Sequence, residues 1–171
     1  MARLIKDRAI VDDQWELLRE PVDAEALRAL NGRNVILPLS SWLELRETLP
    51  AHQGFVGVWL KNIELPEAIA PWLAQIPLIA LDFPVFTDGR AYSSARELRQ
   101  NLGYQGELRA VGDVLSDQLF YMSRCGFNAF AMRADQNLEA AIRRFDDFKD
   151  AYQASVHSPE PLFRRRSCIN G

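Results

Sequence analysis

Two cysteines and two histidines in 171 residues leave little room for disulfide or metal chemistry. A disulfide framework needs several cysteine pairs, and zinc, haem or iron–sulfur centres need clustered ligands. Here Cys125 and Cys168 stand far apart, and His52 and His157 belong to no CxxC or HxxxH spacing. No metal site is therefore expected. Long hydrophobic runs are missing as well: the longest, residues 76–81, is strand-length, whereas a membrane span needs about 20 apolar residues. The opening MARLIKDRAIVDD lacks the apolar stretch of a signal peptide, so the expectation is a cytoplasmic protein without a membrane partner. Neither GxGxxG nor GxxxxGK[ST] occurs, and no nucleotide or other cofactor of the chain's own is expected. Nor is one sign of charge in excess. Twenty basic against 23 acidic residues give −3, which argues against nucleic acid as a partner.

What is present is the balance of a soluble globular domain, 48% hydrophobic and 25% charged. Residues 1–156 are expected to form a single domain of ordinary size. Residues 157–171, with Pro159, Pro161 and Arg164-Arg165-Arg166, are expected to be a flexible basic tail. The tail holds three arginines and Glu160, so residues 1–156 keep 17 basic and 22 acidic side chains, a charge of −5.

The apolar residues come in short runs. Residues 3–5, 9–11 and 15–18, around the turn Lys6-Asp7-Arg8, suggest a small antiparallel β-meander within residues 1–20. From Asn34 onward the runs 35–37, 55–60, 77–81, 108–111 and 129–132 are apolar throughout, as in strands buried on both faces of a parallel sheet, and each is followed by an amphipathic segment. The fold class expected is α/β, with about five parallel βα units arranged as an open doubly wound sheet or as a partial TIM-like barrel. Ser41 with Glu44, and Ser94 with Glu97, have the capping-box spacing of helix starts. Pro71 should keep the segment 67–75 short or kinked, and the helix beginning near Leu138 should run through Phe148 and Tyr152. Helix 113–124 is apolar on most sides, which fits either burial in its own core or cover by another chain, as in a homodimer. Cys125 before Gly126 suits a buried small side chain at a glycine-capped helix end.

In a parallel α/β sheet, ligand-binding groups gather beyond the carboxyl ends of the strands. That rule selects the loop 82–93, with Asp82, Thr87, Asp88, Gly89, Arg90, Tyr92 and Ser93, together with Arg96 on the following helix. Arg90, Arg96 and the helix start offer positive charge to a small anion. Arg109 stands inside the apolar run 108–111, where a charge must be paired or face a polar cleft, and Asp113 ends that run. The expectation is an anion or substrate crevice in which Arg90, Arg109 and Asp113 meet, with Gln118 nearby. No catalytic residue is assigned.

The stretches FPVFTDGRAYS (residues 83–93), AREL (95–98), LGY (102–104), GELRAVGDV (106–114), Asp117-Gln118 and CGF (125–127) resemble a bacterial family, domain-of-unknown-function family 934. The family carries the label of a probable oxidoreductase involved in sulfite reduction. The resemblance implies a role in sulfur assimilation and partnership with the haemoprotein subunit of sulfite reductase. It adds Gly112 and Asp117 to the motif positions named above. Since no redox-cofactor motif accompanies them, the function expected is an accessory protein of assimilatory sulfite reduction. The alternative is a small α/β enzyme acting on a sulfur oxyanion or related anionic metabolite.

Overall fold

Each apolar run becomes a strand, but the strands are assembled differently from the expectation. In the computed structural model, which describes residues 2–145, β1 (Arg3–Lys6) and β2 (Ala9–Asp12) form an antiparallel hairpin. Its two-residue loop, Asp7-Arg8, has φ of 49° and 65°, the left-handed pair that follows the natural twist of the strands. The third strand, β3 (Trp15–Leu17), does not complete a meander. It pairs in parallel with β4 (Asn34–Pro38), and the parallel ladder continues through β5 (Val56–Leu60), β6 (Leu78–Phe83), β7 (Glu107–Gly112) and β8 (Ala129–Phe130). β1 then joins β8 antiparallel, giving the order β2-β1-β8-β7-β6-β5-β4-β3. Six parallel strands thus stand where five were expected. The cause lies at Asp13, whose carboxylate accepts a hydrogen bond from the Trp15 backbone N–H at 3.0 Å and kinks the chain away from the hairpin.

The parallel order runs in sequence without a reversal, so the sheet is not doubly wound. Right-handed crossovers in one direction place every helix on the same face. The core bears this out. Leu27 of α1 (Ala24–Ala29), Trp42 of α2 (Leu39–Leu45), Ala95 of α3 (Arg90–Arg96), Met122 of α4 (Leu119–Cys125) and Ala141 of α5 (Leu138–Arg143) share one cluster with Leu37, Val58, Leu81 and Ala110 of the strands. The opposite face has a cluster made only of strand residues: Ile36, Trp59, Leu78, Ala80 and Val111, with Trp15 and Leu17 against them. Moreover, the two edge strands β2 and β3 are joined only by Asp13-Gln14, so the edges lie within about 11 Å of each other. The sheet is curled, with helices outside and a strand-lined concave face inside.

Helix starts depart from the capping-box reading. α2 begins after Pro38 and α3 after Gly89, which leaves Ser41 and Ser94 inside their helices. Position Ser41 nevertheless matters, because its buried Oγ accepts from the Val22 N–H at 2.8 Å and ties the chain entering α1 to α2. Ser41→Ala strands that buried donor, and a loss of about 1–2 kcal/mol in urea denaturation is expected. Residues Pro66–Gln75 form a 3₁₀ helix containing Pro71, in line with the broken segment expected there. Cys125 is fully buried and α4 ends on Gly126 at φ 116°, also as read from the sequence. Phe148, Tyr152 and the tail 157–171 lie outside the described residues. Among those described, no helix is long and apolar enough to cross a membrane.

Candidate functional site at the mouth of the curled sheet

Alternation along a strand decides which side chains enter the concave face. On β6 these are Leu78, Ala80 and Asp82, and on β7 Glu107, Arg109 and Val111. On β5 the inward series is Gly57, Trp59 and, one step past the strand, Lys61; on β3 it is Trp15, Leu17 and, two steps past, Arg19. The carboxyl ends of the parallel strands therefore bring Arg19, Lys61 and Asp82 to one mouth, with Asp113 and Arg133 following β7 and β8. Asp82 is 8% exposed and pairs with Arg19 at 3.4 Å. The Arg19 guanidinium lies over the Trp59 ring at 5.1 Å, and Lys61 Nζ lies 5.8 Å from the same centroid.

The residues singled out in the sequence do not gather in one place. Asp82 belongs to this mouth. Thr87, Asp88, Gly89, Arg90 and Ser93 form the outer loop and the first turns of α3. There Asp88 accepts from the Arg90 N–H at 3.1 Å and from Asn62 Nδ2 at 2.5 Å, and these hydrogen bonds hold its carboxyl below the ordinary range. Tyr92 is a packing residue, edge-on to Phe83 at 5.1 Å and to Tyr121 at 4.8 Å; burial, with neighbouring groups adding to it, pushes its phenol up to about 12. Arg96 is exposed and reaches the Tyr121 hydroxyl at 3.5 Å, and Gln118 donates to the Phe86 carbonyl at 2.9 Å.

Arg90, Arg109 and Asp113 do not pair with one another. Arg90 is held by Asp88. Asp113 accepts from the Phe86 N–H at 2.9 Å and from Arg133 Nη1 at 2.8 Å. Arg109 sits deeper in the concave face, where it bonds Glu107 through Nε at 2.8 Å and Asp13 through Nη1 at 3.0 and 3.1 Å. Lys6 completes that group by meeting the other oxygen of Glu107 at 2.7 Å. The physical reason is distance along the strand: Arg109 lies four residues below Asp113, and nearer carboxylates satisfy it first.

Arg133 also binds Asp135 at 2.6 Å. This hydrogen bond is the main cause that sets Asp135 at about 2. A depressed folded value means that the pairing stabilises the protein above the ordinary carboxylate pKa near 3.9 and is lost as pH falls through about 2. Arg133→Met is expected to return the Asp135 titration toward the ordinary value, as read by carboxyl carbon NMR.

Arg19 and Trp59 were not legible as site residues, and Lys61, Asn62 and Arg133 were legible only as side chains in the loops that follow apolar runs. They belong to no motif, and only the one-directional strand order, with the parity of each strand, brings Arg19 to the same mouth as Asp82. His52 lies elsewhere, its Nε2–H donating to the Arg33 carbonyl at 2.8 Å beside a cavity of about 330 Å³ lined by Ala24, Leu27 and Thr48. Among the described residues no three His, Cys, Asp or Glu side chains gather as metal ligands.

A sequentially wound, curled parallel sheet with helices on its outer face and charged side chains at its carboxyl mouth defines the class of α/β protein. Within that class the chain belongs to the bacterial proteins of unknown function DUF934, a family that matches residues 57–163, from β5 to beyond α5. No curated protein matches the chain.

Proposed function

We propose that this is an accessory protein of assimilatory sulfite reduction, which docks on the haemoprotein subunit of sulfite reductase and carries no redox cofactor of its own. The supporting observation is an apolar rim beside the mouth. Ile63, Leu65, Val85 and Phe86 are each more than half exposed, on the loops that follow the neighbouring strands β5 and β6. These loops are pinned rather than loose: Asn62 bonds Asp88, the Phe86 N–H donates to Asp113, and Gln118 donates to the Phe86 carbonyl. Four large apolar side chains held in water by polar anchors suit a surface that another protein covers. Helix α4 suits it less, because Leu119 and Met122 are buried in the chain's own core and Tyr121 alone is exposed among its large apolar side chains. The choice of partner rests on the family label carried by the sequence resemblance.

The test mixes the purified chain with the haemoprotein subunit in sedimentation velocity. A complex is expected, weakened at least tenfold by Val85→Asp with Phe86→Asp, which remove two anchors from the rim. Absence of a complex, or self-association through the same rim, overturns the reading. The enzyme alternative is favoured by a different observation, the five charged side chains at the mouth, since enzymes built on curled parallel sheets carry their reactive groups there. Turnover of a sulfur oxyanion by the isolated chain, lost in Asp82→Asn, would support it.

A further inference from the structure

The concave face holds a buried donor with no acceptor. Trp59 is 5% exposed, and its Nε1–H, shielded from solvent, has no hydrogen-bond partner. Such a stranded N–H is costly and uncommon in a folded protein, and an indole can only donate. Two cations flank the ring that carries it, Arg19 and Lys61, both within 6 Å of its centroid. Against them stands one carboxylate, Asp82, which touches Arg19. The Lys61 ammonium forms no ion pair among the described residues; it is its backbone N–H that bonds Glu64. The buried group left without a partner here is a donor, and two cations stand against one carboxylate.

The geometry points to a binding site for a small oxyanion of the sulfate or phosphate type at the mouth of the curl, held by Trp59 Nε1–H, Arg19 and Lys61. The guanidinium offers the ion a planar pair of donors, the ammonium a point charge, and the indole a directed N–H. Asp82 is the positioning residue. It holds the guanidinium at the strand end, and its own negative charge weakens the hold on the anion. The site shares Asp82 with the crevice expected from the sequence but not Arg90, Arg109 or Asp113, and it stands independently of the docking reading.

The experiment follows the four tryptophan indole cross-peaks in a ¹⁵N-labelled full chain, with Trp59→Phe assigning the peak of interest. Sodium sulfate and sodium phosphate are titrated separately, against sodium chloride at matched ionic strength. A saturable shift of the Trp59 indole proton is expected with either oxyanion, and the one that saturates at lower concentration identifies the preferred ligand. Lys61→Met and Arg19→Met should each raise the dissociation constant about tenfold, the effect of one charge-assisted contact. Lys61 is exposed, so its variant reports on binding even if Arg19→Met disturbs folding. A shift reproduced by chloride, an indole peak that stays still, or a Lys61→Met variant that binds as well as the parent would overturn the site. Partner binding is read by sedimentation, so the two proposals fail separately.

Discussion

Arg109→Met is expected to lower the thermal midpoint by about 10 °C, corresponding to about 3–5 kcal/mol for a chain of this length. The arginine is 3% exposed and engages two carboxylates, Glu107 and Asp13, whose side chains are themselves 7% and 17% exposed. Methionine fills most of the volume but supplies no donors, so both carboxylates face the concave interior with one cation fewer. Lys6 cannot replace it at Asp13, because its ammonium is already placed on Glu107. A second variant isolates the cause. Arg109→Met combined with Glu107→Leu removes the most buried charge as well, leaving Lys6 at 41% side-chain exposure and Asp13 able to reach water. At least half of the lost stability should return, and the non-additivity of the pair measures their coupling. A single variant that melts like the parent would mean that the network is energetically idle. This outcome also bears on phenotype: a growth defect of Arg109→Met on sulfate is to be read first as loss of folded protein.

The oddness of Arg109 was visible in the sequence, since an arginine inside an apolar strand demands a partner; the identity of that partner was not. Asp13 lies 96 residues away and is presented only because the chain kinks between β2 and β3. The strands themselves were legible, from apolar runs whose positions the structure reproduces almost residue by residue. Their neighbours were not, because Trp15 and Leu17 alternate equally well on a hairpin meander or on the edge of a parallel sheet. The same limit applies to the mouth. Loop 82–93 was conspicuous for its hydroxyls and charges, yet its Arg90 is held by Asp88 within the loop itself. Arg19 and Lys61, single charges in unremarkable contexts, acquire meaning only when strand order and parity place them around Trp59. Ser41 and Ser94 carried a cap signature because the S-x-x-E spacing also occurs inside a helix, and Pro38 and Gly89 had already started the turn.

Gly112→Ala is expected to cost about 3 kcal/mol or more, a fall of about 6–12 °C in midpoint. Gly112 ends β7 at φ 96°, a conformation that alanine adopts only with strain. A side chain there also has nowhere to go. Its Cβ would stand 2.4 Å from the Phe83 carbonyl oxygen and 3.1 Å from Asp82 Oδ1. The carbonyl cannot withdraw freely, because it accepts the Asp113 N–H at 2.7 Å and so fixes the loop that carries the Phe86 anchor. Gly103→Ala is the matched control: it has φ of 70° with nothing within 4 Å of the added carbon, so it reports backbone strain alone, about 1 kcal/mol. The difference between the two variants is the contribution of the close approach between β6 and β7. Equal losses would show that the ladder gives way without resistance. A larger loss at Gly112 should be accompanied by weaker sulfate or phosphate binding at Trp59, because displacing the Asp82 carboxylate also displaces the Arg19 guanidinium that it holds.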